Sequence, residues 1–480
     1  MKKIIIFAAC LLSMASCKKF LDVNKNPNSP TDAPAKVLLP TTTIGLGWAN
    51  GNELGRAAAI FVQYNAGIAN NALLYENYNL DGAFGNQWDY EVYNGVINNL
   101  RLIISKTEDS SPAYSGIAKL QLAYMFSVAT DLWGDVPYSQ AGFGLQFKNP
   151  RYDSQQDIYQ GNSNLGIISL FDLVKSGLDD LSKTSATKPT TDDLVYGGVL
   201  DSWKKVGNTL LLKFANQISV VNPTMAKSVI SDVITGNNFI TDNSQDFAIP
   251  FSIAAGNQNP LYQQDFASFK DNQMLSSRFL ARVKTLNDTV RLSKFYTKPL
   301  TTRFVGYENG AVVAAPTVAS RSIYNSYVVG KGDAPVRLLT NFQVKFILAE
   351  SALKLGTTGN ANQLFQDGIK ASMAKVGMTT AEINQYFADN PNVVTLSGTD
   401  EQKLAQIITQ KYIAWVGNGI ESYNDFRRTG YPQLLVSTNA KGDDPTTIPK
   451  RLPYTLNEGN SNPNQPKPRP KTNVKVWWGK

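Results

Sequence analysis

Apolar residues recur along much of this chain at the three- and four-residue spacing of helices that bury one face. Ile117, Leu120, Tyr124 and Val128 share a face, and Trp133-Gly134-Asp135-Val136-Pro137 ends that stretch. Ile167, Phe171, Val174, Leu178 and Leu181 form a second amphipathic stripe. Residues 200–221 and 223–235 read as a helical pair, with Asn222-Pro223 as break and restart. Later, Leu338, Phe342, Phe346, Ala349 and Leu353 run up to Gly356, residues 359–376 supply a partner helix, and Leu404, Ile408 and Trp415 mark another. Helix pairs of about 34 residues joined by short turns typify tetratricopeptide (TPR) repeats. The periodicity here is degenerate, so the expectation is a mainly α fold of TPR-like hairpins.

Between 236 and 335 the pattern gives way to Asn, Gly, Ser and aromatic residues, with β-like runs at Phe304-Val305 and Ser326-Tyr327-Val328-Val329. This stretch reads as a long irregular insert with short strands and no helices, folded onto the helical body. Residues 64–87 form a second, smaller stretch of the same kind, and the tail, 441–480, is rich in Pro, Asn and Lys. Loops of such length inside a compact protein are more often functional than filler.

Composition narrows the chemistry. The absence of His from all 480 residues removes the commonest general base and nearly all catalytic zinc and non-haem iron sites. Cys10 and Cys17 both lie near the N-terminus, so no disulfide staples the body. The net charge, 46 basic against 38 acidic residues or +8, is spread thinly, and no basic stripe with interleaved aromatics suggests a nucleic-acid partner. Gly442-Asp443-Asp444 could supply oxygens to a structural calcium, without EF-hand spacing, and no other cofactor is expected. Glu421 and Asp425 are the nearest approach to a glycosidase carboxylate pair. Beside Arg427 and Arg428 they read as an ion-pair network, and Glu350 as a structural hydrogen-bonding residue.

Lys2 and Lys3 precede an apolar run, residues 4–12, that is too short to span a bilayer. Met14-Ala15-Ser16-Cys17 then resembles the lipobox of a bacterial lipoprotein, which implies cleavage after residue 16 and lipidation of Cys17. The chain accordingly divides into a signal peptide (1–16), a tether (17–40) and one helical domain (41–480).

Six segments, in order, resemble the SusD/RagB family of surface lipoproteins of Bacteroidetes. They are CKKFLDVNKNPNSPT after the lipobox, DLWGDVPYSQA (131–141), FILAESALKLG (346–356), GNGIESYNDFRRTGYP (417–432), RLPYTLNEGNSNP (451–463) and the closing VWWGK. Thr455 stands where a second Pro is common in that family. The resemblance implies TPR-like hairpins beneath a loop-rich face. It further implies an outer-membrane location, a SusC-type TonB-dependent transporter as partner, and capture of glycans without catalysis. A peptide-capturing RagB-type lid and a surface-anchored glycoside hydrolase are the alternatives.

A sugar needs flat aromatic faces and a ring of polar partners. The first irregular stretch offers Tyr75, Tyr78, Asn79, Asp81 and Phe84, and the second Arg278, Tyr296, Arg303, Tyr307, Tyr324 and Tyr327. These are the expected ligand contacts, on an exposed surface. Trp88, Trp133, Trp415, Trp477 and Trp478 are expected to pack in the core.

Overall fold

The computed structural model describes residues 33–299 and 303–480; the signal peptide, Cys17 and residues 17–32 of the tether lie outside the described residues. Each stripe is largely a helix, except that Ile167 precedes the helix Leu170–Asp180 and Leu338 lies in the strand Val336–Leu339. Pro112–Trp133 packs on Leu170–Asp180, Leu200–Ile218 on Pro223–Gly236, and Asn341–Lys354 on both Ala361–Lys375 and Asp400–Ala414. The boundaries follow local chemistry. The Asn222 side chain accepts a bond from the Met225 N–H at 3.2 Å while Pro223 occupies the first helical position. Thr379 with Glu382, and Thr399 with Gln402, form capping boxes for the helices that follow them.

Pro112–Trp133 is the central post, with all 22 residues buried. Its one lysine, Lys119, ends on Asp180 and Glu108, each at 2.7 Å. Glycines set how closely its neighbours approach. A Cβ on Gly116 would stand 2.8 Å from the Gly177 carbonyl, and one on Gly419 would stand 2.2 Å from Ala59 N and 2.6 Å from Gly55 O. The second of these contacts locks Gly419–Thr429 against Glu53–Phe61.

The carboxylate pair read from the sequence is fully absorbed by the core. Glu421 accepts from Lys213 at 2.6 Å and from Gln343 at 2.7 Å. Asp425 meets Lys411 and Arg428, each at 3.0 Å, and Arg428 also reaches Glu350. Burial alone would raise the Asp425 pKa, but Lys411 and Arg428 hold it below the usual carboxylate value. Asp131 accepts from Tyr159, Asn424 and Trp478, and burial pushes its pKa up to about 6. Trp88, Trp133, Trp415 and Trp478 are buried, and Trp477 is half-buried.

Three readings need correction. Residues 35–40, taken from their Pro content as the end of the tether, open the helix Ala35–Gly51, which carries Pro40 inside it. Burial of Leu38, Leu39, Leu46 and Ala49 outweighs the hydrogen bond that Pro40 cannot donate. The insert is not free of helices: Ser277–Thr285 and Thr289–Phe295 lie within it. The first is signalled by the Ser276 cap and by Phe279, Leu280 and Val283 on one face. The β-like runs at 304–305 and 326–329 are loop and turn. Pairing goes instead to Phe247–Ile249 with Val336–Leu339 and to Asn65–Gly67 with Gln273–Leu275, both antiparallel. The main hydrophobic core runs from Leu38 to Trp478, with Phe279, Phe295 and Tyr324 of the insert inside it, and a small separate cluster of Ala66, Met274 and Tyr307 lies where the two irregular stretches meet. No helix among the described residues is long and apolar enough to cross a membrane.

Candidate functional site

The two irregular stretches meet. Asn65–Gly67 of the first pairs with Gln273–Leu275 of the second, in the register Asn65↔Leu275 and Gly67↔Gln273. Asn309 ties the seam further, donating to Asn65 O at 3.2 Å and to Glu76 Oε2 at 3.0 Å. Burial raises Glu76 to about 7 against the bonds it accepts from Gly67 N–H and Asn309.

The aromatics expected to form open platforms face inward. Tyr75, Tyr78, Phe84, Tyr296, Tyr307, Tyr324 and Tyr327 are all 8% exposed or less. Their rings fill the seam that the loops create. Tyr75 stacks on Phe84 at 5.3 Å and donates its hydroxyl to Glu53. Tyr78 accepts from Ser437 N at 3.0 Å. Tyr296 stacks on Tyr324, Tyr307 donates to the carbonyls of Ala311 and Val313, and Tyr327 lies under the Arg337 guanidinium. Tyr78 and Phe84 hold left-handed backbones, φ 58° and 66°, which cost a non-glycine residue about 1–2 kcal/mol. Ring burial offsets that cost and fixes the loop between them. Arg278 is half-buried, bonded to Glu308 at 2.6 Å and to the carbonyls of Leu435 and Val436; Arg303, Asn79 and Asp81 are exposed.

Two clefts open on either side of that loop. One, of about 470 Å³, is lined by Glu53, Asn71, Leu74, Asp81, Asn86, Gln87 and Asn457, with Tyr75 and Phe84 as its wall. The other, of about 480 Å³, is lined by Tyr78, Asn79, Asp81, Lys441, Arg469 and Lys471. The ion pair of Asp81 with Arg469, at 3.2 Å, stands between them. Beneath the first cleft runs a polar relay. Arg56 donates to Glu53 at 2.8 Å and to Gln264 at 3.1 Å, Gln264 donates to Asn52, and Asn52 and Gln87 both donate to Glu91. Burial lifts Glu91 to about 7. Glu53 is thus committed on both oxygens, whereas Asn71 and Asn86 are exposed and make no side-chain hydrogen bond among the described residues.

Sequence reasoning missed Glu53, Asn71, Asn86, Gln87 and Asn457. The polar runs Asn70-Asn71 and Gly85-Asn86-Gln87 were a usable signal, and Asn457 lies inside the family-like segment 451–463. It also missed the aromatic faces that are open. Tyr90, three residues beyond Gln87, is 67% exposed. Phe269 is exposed too, as is Phe266, which stacks on Tyr262 at 5.1 Å and 9°. The oxygens of Asp443 and Asp444 are spent on Thr472, and on Thr446 and Asn473, respectively. Among the described residues no group of three or more Cys, Asp or Glu is placed to hold a metal ion.

A family model described as SusD-like, starch-binding and associating with the outer membrane matches residues 27–455. A chitin-binding SusD homologue from Flavobacterium johnsoniae is similar in structure, with a TM-score of 0.79 and 23% identity over 92% of this chain and 98% of its own. A SusD homologue from Bacteroides uniformis gives 0.75 at 23% identity, over 93% and 98%. A SusD-like protein from Bacteroides thetaiotaomicron gives 0.77 at 20%, over 93% and 99%. Among curated proteins no sequence matches the chain.

Proposed function

Because the chain belongs to the SusD-like family, we propose that it is a lipid-anchored glycan-binding protein of the outer membrane that passes oligosaccharides to a SusC-type TonB-dependent transporter and does not cleave them. The observation that carries this reading is the first cleft. Asn71 and Asn86 leave their amide donors and acceptors uncommitted at its lip, as hydroxyl recognition requires. Tyr90, three residues beyond the cleft residue Gln87, offers an exposed aromatic face for the C–H surface of a sugar ring. The chitin-binding homologue supports the choice of glycan as ligand. The core that joins the insert to the helices supports a single domain that opens with the helix Ala35–Gly51 rather than at residue 41.

Calorimetric titration with a panel of oligosaccharides, followed by product analysis, tests the proposal. Binding without product is expected, and Asn71→Ala or Asn86→Ala should each weaken it by about 0.5–1.5 kcal/mol, the worth of one hydrogen bond. Release of shortened sugars would make the protein a hydrolase. Binding of peptides alone would make it a peptide-capturing lid. Co-purification of a TonB-dependent transporter with the full chain checks the partner.

A further inference from the structure

The first cleft carries a bias in charge. Two carboxylates line it, Glu53 at the floor and Asp81 at the lip, and no Lys or Arg does among the described residues. The cations close at hand are turned to other uses. Arg56, 1% exposed, is held beneath the floor by Glu53 and Gln264. Arg469 meets Asp81 from the neighbouring cleft, where Lys441 and Lys471 also sit. The remaining polar lining consists of amides: Asn71, Asn86, Gln87 and Asn457. Leu74, 40% exposed, adds an apolar wall that would suit a methyl group.

We infer that this cleft selects uncharged sugars bearing hydroxyl or acetamido groups, and turns away uronate and sulfated chains. The inference rests on the glycan-capture reading and narrows it. An amide presents donor and acceptor side by side, so it pairs equally well with a hydroxyl or an acetamido group. A carboxylate or sulfate entering the cleft would instead face Glu53 and Asp81, while the nearest cations, Arg56 and Arg469, stand outside the lining and are already paired with those two carboxylates. Asp81 is the accessible half of the barrier: its side chain is 77% exposed, against 10% for that of Glu53.

The experiment compares neutral oligosaccharides, including N-acetylated ones, with oligogalacturonate of equal length. Affinities are measured at low salt and at 1 M salt, on the wild type and on Asp81→Asn and Asn86→Lys. The wild type should bind a neutral ligand and bind oligogalacturonate at least tenfold more weakly. Each variant should raise the ratio of uronate to neutral affinity by about fourfold at low salt, the effect of one charge at about 5 Å in a water-like medium. At 1 M salt, where screening acts over about 3 Å, that gain should vanish. Both positions are exposed, so thermal melts should match the wild type. Wild-type binding of oligogalacturonate as tight as of neutral chains overturns the inference and leaves glycan capture standing. An unchanged ratio in both variants overturns the assignment to this cleft. Binding of no glycan at all overturns the functional reading together with the inference.

Discussion

Tyr296 is fully buried, its ring stacked on Tyr324 at 5.2 Å and its hydroxyl donating to Tyr64 O at 3.0 Å and Asn65 Oδ1 at 3.1 Å. A residue expected on a sugar platform is thereby a strut between the two irregular stretches. Tyr296→Ala should destabilise the fold by about 3–5 kcal/mol, as truncation of a buried aromatic does. Tyr296→Phe should cost about 1 kcal/mol for the lost hydrogen bond. Denaturant titration of both variants measures this, and a Tyr296→Ala protein that melts like the wild type would return the ring to the surface. Glu76 makes the seam sensitive to pH. Its folded pKa, about 7, lies above the ordinary 4.5, so the folded state holds the proton more tightly and stability falls as pH rises between those values. Glu91, also near 7, and Asp131 and Asp265, near 6, act in the same direction. Glu76→Gln keeps the shape and removes the charge. Its melting temperature relative to wild type should therefore climb from pH 5 to pH 8, by the equivalent of about 1–3 kcal/mol. A flat difference across that range would place the charge elsewhere.

At the scale of elements, glycine crossings decide how the hairpins nest. Gly419→Ala would drive a methyl into the backbone of Glu53–Phe61, at Ala59 N and Gly55 O, where no flexible side chain can yield. The cost should be about 1–3 kcal/mol, typical of an overpacked contact. Gly236→Ala, which meets nothing within 4 Å, is the matched control. Equal melts for the two would show that the helices slide apart freely. The same scale explains what the sequence disclosed. Ile117, Leu120, Tyr124 and Val128 announce their helix because one face repeats within a few turns, and the partner's identity is immaterial. The inward turn of Tyr75 and Tyr296 depends on Asn65–Gly67 pairing with Gln273–Leu275, about two hundred residues away, and no local pattern encodes that meeting. Asp81 could be found from its loop. Glu53 could not, because it opens a helix whose residues are all buried, and no local pattern marks it as a cleft residue.

Over the whole molecule, the anchor and the core make separate demands. Cys17→Ala should shift the protein from the detergent phase to the aqueous phase, since each buried acyl CH₂ contributes about 0.8 kcal/mol to membrane attachment. Unchanged partitioning would count against lipidation. The fold of 33–480 should be unaffected, which a melt of the soluble variant checks. The core makes its own demand through Trp478, whose indole N–H donates to Asp131 at 2.9 Å and whose ring lies by Arg427, which itself reaches the Asp131 carbonyl. That bond joins residues 347 positions apart. At a synthesis rate of about 5–20 residues per second, the central helix emerges on the order of 20–70 s before its last partner exists. During that interval Asp131 has no indole to answer it and the post has an open side. The central helix is therefore complete in sequence well before the bond from Trp478 can complete it in structure.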